Sequence, residues 1–311
     1  MSVKDLEPVG DSFLLNIDNV WWKCYIYQAG KYSGKPQAKE KEKGPIVETK
    51  FFSEAEISEI KLGGATKHFF KKKVPILSTN NNITFQNVNF AYPETSKKVL
   101  DNFSFTFQNG KKYTIIGPNG IGKSTLFKLI VKLYQPQQET IKLSDTELEK
   151  IDNSVLRKKI IYLPNNPSFF NTSLGDNIVY PEVYQETIHK EKLEIIAKKL
   201  EIKEFIDKLP KCWETIIAEK GQNLSEGQKQ LISLTRALVR DYEIYLFDEF
   251  LSNINNDLKE KLMKFIFHEL RDKTIIVVSH DGKTSQYVDE IYKFTSRGLI
   301  KENEEKYGRN K

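Results

Sequence analysis

Cysteine is nearly absent: Cys24 and Cys212 are the only two in 311 residues. Two such distant thiols exclude a disulfide framework and a cysteine-built metal site, and they fit a reducing, cytoplasmic setting. Long apolar runs are missing as well. No stretch approaches the roughly 20 consecutive apolar residues that a bilayer span needs. The best N-terminal candidate, FLLNIDNVWWKCYIY, is broken by Asn16, Asp18, Asn19 and Lys23 and lacks a small-residue cleavage site. Neither a membrane span nor a secretion signal is therefore expected. Charge of one sign is not concentrated either. The net charge of +6 is spread over mixed runs such as KEKEKG and EEKYGRNK, which reads as a solvated, lysine-rich surface, and no nucleic-acid partner is expected. FFKKK, at Phe69 to Lys73, is the one compact basic cluster and reads as exposed linker. What remains, 39% hydrophobic and 29% charged, is a globular composition with length for one large domain or two smaller ones.

Residues 1 to about 75 differ in character from the rest and carry no repeat and no chemical motif. They hold Trp21, Trp22, the polar stretch YSGKPQAKEKEKGP and the amphipathic SEAEISEI, and are read as an extension or linker. PILSTNNN, which follows, is rich in turn formers. From Ile83 the pattern changes. ITFQNVNFAY and NFSFTF alternate like strands; KYTIIG, KKIIYLP, YEIYLFDEF and KTIIVVSH are short apolar runs of the kind buried in a parallel sheet. KSTLFKLIVKLY has helical periodicity through Tyr134. NDLKEKLMKFIFHELRD does too, with Leu258, Leu262, Phe265 and Leu270 expected on one face. Strands separated by helices predict an α/β fold over residues 76–311, with antiparallel strands at the front and a helical subdomain at about 165–238.

TIIGPNGIGKSTLFKLI sets a glycine-rich turn between an apolar strand and a helix, and it satisfies GxxxxGK[ST] with Gly117, Gly122, Lys123 and Ser124. Glycines let backbone N–H groups converge on an anion, and the helix start adds its positive end. Lys123 would reach outer phosphates and the Ser124 hydroxyl would ligate Mg²⁺. The pattern alone does not distinguish kinase, GTPase or transport ATPase. EIYLFDE then delivers Asp248 and Glu249 at the C-terminal end of a buried strand, where α/β sheets place ligands. Asp248 suits Mg²⁺, and Glu249 suits a water facing the γ-phosphate.

NLSEGQKQLISLTRALVRD decides among these. With Leu224, Ser225, Glu226, Gly227 and Gln228 at the place of an LSGGQ signature, the sequence resembles the ATP-binding cassette (ABC) ATPases, over residues 83 to 302. The resemblance implies a P-loop NTPase cassette with a RecA-like core, an antiparallel β subdomain and a helical subdomain. It implies ATP and Mg²⁺ as ligands, with Gly117, Asn119, Gly120, Gly122, Lys123, Ser124 and Thr125 around the phosphates and Tyr92 stacking on adenine. Ser225, Gly227 and Gln228 would face the nucleotide of a second cassette in a head-to-tail dimer. Glu249 and His280 would be catalytic with Lys123, and Asn165 would approach Mg²⁺ beside Ser124 and Asp248. AEKGQ resembles the exporter loop in which Glu219 meets a membrane domain. The implied function is the ATP-hydrolysing subunit or domain of an exporter-type transporter, peripheral on the cytoplasmic side of a membrane.

Three positions depart from the pattern. Asn165 replaces the usual glutamine and is one methylene shorter, Asn255 stands where the D-loop usually ends in aspartate, and Glu226 replaces a signature glycine. Two rivals stay open: a soluble ABC ATPase without transport, and a regulatory cassette that hydrolyses weakly.

Overall fold

The runs KYTII, IIYL, IYLFD and TIIVV are apolar on both sides of the chain because both faces of their sheet are covered. A computed structural model of the protein describes residues 12–17, 20–27, 46–53 and 80–302 apart from 94, 96, 181–189 and 280–282. The linker residues 75–79, SEAEISEI after Ser53, FFKKK and His280 lie outside the described residues, as does the Glu219 side chain.

The chain divides into two units, Met1–Lys73 and Val74–Lys311. In the first, β1 (Ser12–Ile17) pairs antiparallel with β2 (Val20–Tyr27), which pairs parallel with β3 (Ile46–Ser53). The sequence pattern there gave no expectation of a sheet.

In the second unit, β4 (Ile83–Phe90), β5 (Leu100–Phe107), β7 (Gln138–Leu143) and β8 (Thr146–Glu147) form an antiparallel sheet in the order β5-β4-β7-β8. The larger sheet contains β6 (Lys112–Ile116), β9 (Ile160–Leu163), β10 (Ile244–Asp248), β11 (Thr274–Val278), β12 (Glu290–Thr295) and β13 (Gly298–Lys301), in the order β13-β12-β6-β11-β10-β9. All its neighbours are parallel except β13, which returns beside β12. Alternate residues of its central strands feed two cores. Tyr245, Phe247, Ile275 and Val277 join the helices on one face, while Ile244, Leu246, Ile276 and Val278 join Phe85, Phe103 and Phe127 on the other.

The helices are α1 (Lys123–Ile130), α2 (Asn153–Lys159), α3 (Leu174–Val179), α4 (Lys190–Lys199), α5 (Lys203–Asp207), α6 (Glu226–Val239) and α7 (Asn256–Glu269). Two sequence expectations need correction. The helix that starts at Lys123 stops at Ile130 and does not reach Tyr134. Lys132 turns left-handed (φ 58°), and the N–H groups of Leu133 and Tyr134 both return to the Lys128 carbonyl, which closes the helix. The Tyr134 ring is then free to pack edge-on against Tyr92 and Phe90. In α7 the buried stripe is Leu262, Met263, Ile266 and Phe267, with Leu270 just past the helix end; Leu258 and Phe265 pack only partly at its margin.

Candidate active site

Parallel strands bring their C-terminal ends to one edge, and the sequence spends that edge on polar residues. The loop after β6 carries Gly117 to Gly122, the end of β10 carries Asp248 and Glu249, and the turn after β9 carries Asn165. Between β6 and β10 lies β11. The site thus spans a gap of one strand.

Gly122 shows why the loop needs glycine. It caps α1 at φ 116°, and a Cβ there would sit 2.3 Å from Cγ1 of Val99. A left-handed backbone pressed against a neighbour admits no side chain. Lys123 follows at once and is buried. Its Nζ donates to the carbonyls of Gly117 (2.7 Å) and Pro118 (2.9 Å), so the ammonium closes its own loop into a ring. Burial pushes the Lys123 amine below its ordinary value, and the carboxylates of Glu249 and Asp248 pull the other way.

Ser124 Oγ donates to Asp248 Oδ1 at 2.9 Å, which ties α1 to the end of β10. The other Asp248 oxygen accepts from the Tyr162 hydroxyl at 3.0 Å. Burial raises the Asp248 carboxyl above the usual range; the Ser124 and Tyr162 hydrogen bonds oppose the rise and neighbouring Glu249 adds to it. The Tyr162 hydroxyl is in turn raised, first by burial and then by the charge of Asp248. Glu249 is half-buried and holds a left-handed backbone (φ 53°), with its N–H bonded to the Val278 carbonyl. Asn165 Nδ2 donates to Glu249 Oε2 at 3.3 Å, and Asn165 Oδ1 accepts from Ser252 Oγ at 3.1 Å. The shorter amide is therefore in contact with the glutamate.

Tyr92 joins the same cluster through its hydroxyl, 2.9 Å from Thr125 Oγ1 on α1, while its ring meets Phe90 and Tyr134 edge-on and lies under the Lys128 ammonium. Asn119 and Gly120 are exposed on the loop. Ser225, Gly227 and Gln228 lie elsewhere, at the start of α6. Ser225 Oγ accepts from the Gln228 N–H and Gln228 Oε1 accepts from the Ser225 N–H, a reciprocal capping box. Glu226 projects outward and pairs with Lys229 at 2.8 Å. Asn255 caps α7 by accepting from the Leu258 N–H, which asparagine does as well as aspartate.

Tyr162, Ser252 and Gln230 were not anticipated. Tyr162 reads only as part of an apolar strand, and its reach to Asp248 depends on β9 lying beside β10.

An oxygen-only pair of serine hydroxyl and buried carboxylate, beside a glycine-built loop and a lysine, has the donor chemistry of a hard cation bound together with phosphate. The residues present fit both groups.

Comparison with known proteins points the same way. Residues 100–252 match the family model described as ABC transporter. The chain is 30% identical over 249 residues to the ABC transporter ATM1 of Toxoplasma gondii, covering 73% of this chain and 22% of that protein. It is 33% identical to the lactococcin-G-processing and transport ATP-binding protein LagD of Lactococcus lactis, over 74% of this chain and 33% of the relative. The ATP-dependent lipid A-core flippase of Haemophilus influenzae is 31% identical over 67% of this chain and 35% of its own length. Among solved structures, a bacterial Atm1-family ABC exporter with ATP bound superimposes with a TM-score of 0.66 at 27% identity, covering 71% of this chain and 38% of that one. The alignments span about a third or less of the curated relatives.

Proposed function

Because the chain belongs to the ABC transporter family, with a nucleotide-binding cassette of the exporter-like group, we propose that it binds ATP with Mg²⁺, hydrolyses it, and so drives a substrate through a membrane-spanning partner. The observation that carries this reading is the hydrogen bond between Ser124 and Asp248, which holds the phosphate loop against the strand that ends in Glu249.

In this reading the γ-phosphate replaces the Gly117 and Pro118 carbonyls as the partner of Lys123, whose cation offsets charge on the transferring group. Glu249 orients and polarises the attacking water. Tyr92, bonded to Thr125 in the first turn of α1, supplies an aromatic face for the base. Ser124 and Asp248 are the oxygens that would hold Mg²⁺, with Asn165 and Glu249 next to them. When bound, the ion neutralises charge on the phosphate oxygens. The exposed N-terminus of α6, with Ser225, is the part offered to a second cassette, so two nucleotides would lie between two head-to-tail protomers. The cassette would act at the cytoplasmic side of a membrane, His280 would touch the γ-phosphate and Glu219 would face the membrane domain.

The test pairs two variants. Lys123→Ala is expected to lose ATP turnover by at least ~10²-fold. Glu249→Gln is expected to keep ATP affinity, release no phosphate and collect as an ATP-held dimer. Undiminished phosphate release by Lys123→Ala, or by Glu249→Gln, would remove the reading.

A further inference from the structure

We propose that Ser252 and Gln230 are positioning residues that fix which end of the Asn165 amide faces Glu249. The proposal rests on the reading of Glu249 as the residue that handles the attacking water.

One donor in this run of bonds has a fixed identity. The backbone N–H of Asn253 bonds Gln230 Oε1 at 3.0 Å. A backbone N–H can only donate, so that end of the Gln230 amide must be its oxygen. Gln230 Nε2 is then a donor, and it lies 2.9 Å from Ser252 Oγ. With a lone pair engaged there, the Ser252 hydroxyl has its single proton left for its other neighbour, Asn165 Oδ1, at 3.1 Å. Asn165 meets that proton with its oxygen and turns its nitrogen toward Glu249 Oε2, at 3.3 Å, where a carboxylate oxygen accepts. The two ends of the series have one role each, a main-chain N–H that donates and a carboxylate that accepts, and the Ser252 hydroxyl, which can do both, completes the run between them. With the amide reversed, two oxygens would face each other at Glu249 and the Ser252 proton would meet an NH₂ group.

Burial supports the reading. Gln230 is only 3% exposed, inside α6, where an unpaired amide would be costly, and its two polar ends are both spent on this relay. Asn165 itself is half-buried and Ser252 is exposed. The relay also accounts for asparagine at 165: the shorter side chain already touches both Ser252 and Glu249. Asn165 thus acts as a donor to the glutamate, and Ser252 and Gln230 act through it.

The test removes the proton without touching the core. Ser252→Ala is expected to lower kcat about 10-fold while the Kd for ATP changes less than ~2-fold, since the lost alignment concerns the water and not the nucleotide. Ser252→Thr, which restores the hydroxyl, is expected to recover most of that loss. Gln230→Met, of similar volume, is expected to lose less, because Ser252 can still donate but is no longer held. A readout independent of turnover comes from the ¹⁵N–¹H resonances of the Asn165 side-chain amide, assigned by their disappearance in Asn165→Asp. In the full chain both protons should be shifted away from the positions of a solvated asparagine amide, whose two protons are already distinct because its C–N bond barely rotates, and they should converge on those positions in Ser252→Ala. If Ser252→Ala leaves kcat and these resonances unchanged, the relay is wrong. If kcat falls in Ser252→Ala and Ser252→Thr alike, the loop's packing and not the proton matters, and the relay is again wrong. If the wild-type chain hydrolyses no ATP yet the resonances still converge, the reading of Glu249 fails and the relay stands.

Discussion

Asp248 works against the fold that holds it. It is 5% exposed, and its raised carboxyl means that burial costs more than its two hydroxyl partners return. Between the ordinary carboxylate value and the raised one, the native chain holds a proton that the unfolded chain has released. Stability therefore falls as pH rises through that window, and the whole cost is present above it. Asp248→Asn should remove the cost, since one amide end can accept from a hydroxyl and the other can donate. The expected outcome at pH 7 is a thermal midpoint higher by about 2–4 °C, together with a loss of Mg²⁺-dependent turnover. The gain should shrink as pH is lowered toward the ordinary carboxylate range. A midpoint at pH 7 that is unchanged or lower would contradict the account. At this scale, Lys123, Ser124, Asp248 and Glu249 are legible in the sequence because each sits at a fixed offset within a continuous stretch. Tyr162, Ser252 and Gln230 are not. Their partners are set by which strand or helix lies alongside, and a spacing along one chain does not carry that information.

Among the elements, α3 and α6 are joined by a clamp of cations on carbonyls. Arg236, on α6, donates Nε to the Asn177 carbonyl of α3 at 2.8 Å and lies over the Phe169 ring; Arg240 donates to the carbonyls of Val179 and Tyr180. These are carbonyls of the last turn and C-cap of α3, the negative end of that helix. Burial pushes the Arg236 guanidinium down to about 10, still far above neutral pH, so the clamp stays charged. The segment that leads out of Asn165 is thereby fastened to the helix that begins at Ser225. Arg236→Met keeps an apolar stem and deletes the donors, and it is expected to cost about 2 kcal/mol in urea unfolding at constant m. A cost below about 0.5 kcal/mol would place the clamp among surface contacts that carry no weight. The sequence marked this stretch as helical but not as clamped. It also marked α7 one position out, because Leu258, Leu262 and Phe265 satisfy helical spacing as well as the true stripe of Leu262, Met263, Ile266 and Phe267.

For the molecule as a whole, the order β6-β11-β10-β9 converts four distant stretches of chain into one edge, and the apolar runs foretold that sheet because its central strands are buried on both faces. The sheet of β1, β2 and β3 was not foretold, although VWWKCYIY, interrupted only by Lys23, has the aromatic and β-branched composition of a strand; the pairing of β2 with β3, well separated from it in sequence, leaves no local signal. The signature serine takes no part in the loop's bonding: its polar contacts close on Gln228 and Lys229 within its own helix start. A site completed by a second copy should then show complementation. Lys123→Ala mixed with Ser225→Arg is expected to regain up to about half the turnover per mixed dimer, since two-site mixing leaves one site with both lesions and one with neither. No recovery, with mixed dimers shown to form, would refute the head-to-tail arrangement. The bond from Ser124 to Asp248 has a further consequence, one of timing. Its ends are 124 residues apart, so at ~5–20 residues per second a ribosome delivers the carboxylate roughly 6–25 s after the serine. β6 pairs only with β11 and β12, which emerge later still. For the length of that delay the nascent protein owns an anion-binding loop with neither its sheet nor its carboxylate, and the site comes into being only when the last third of the chain has been made.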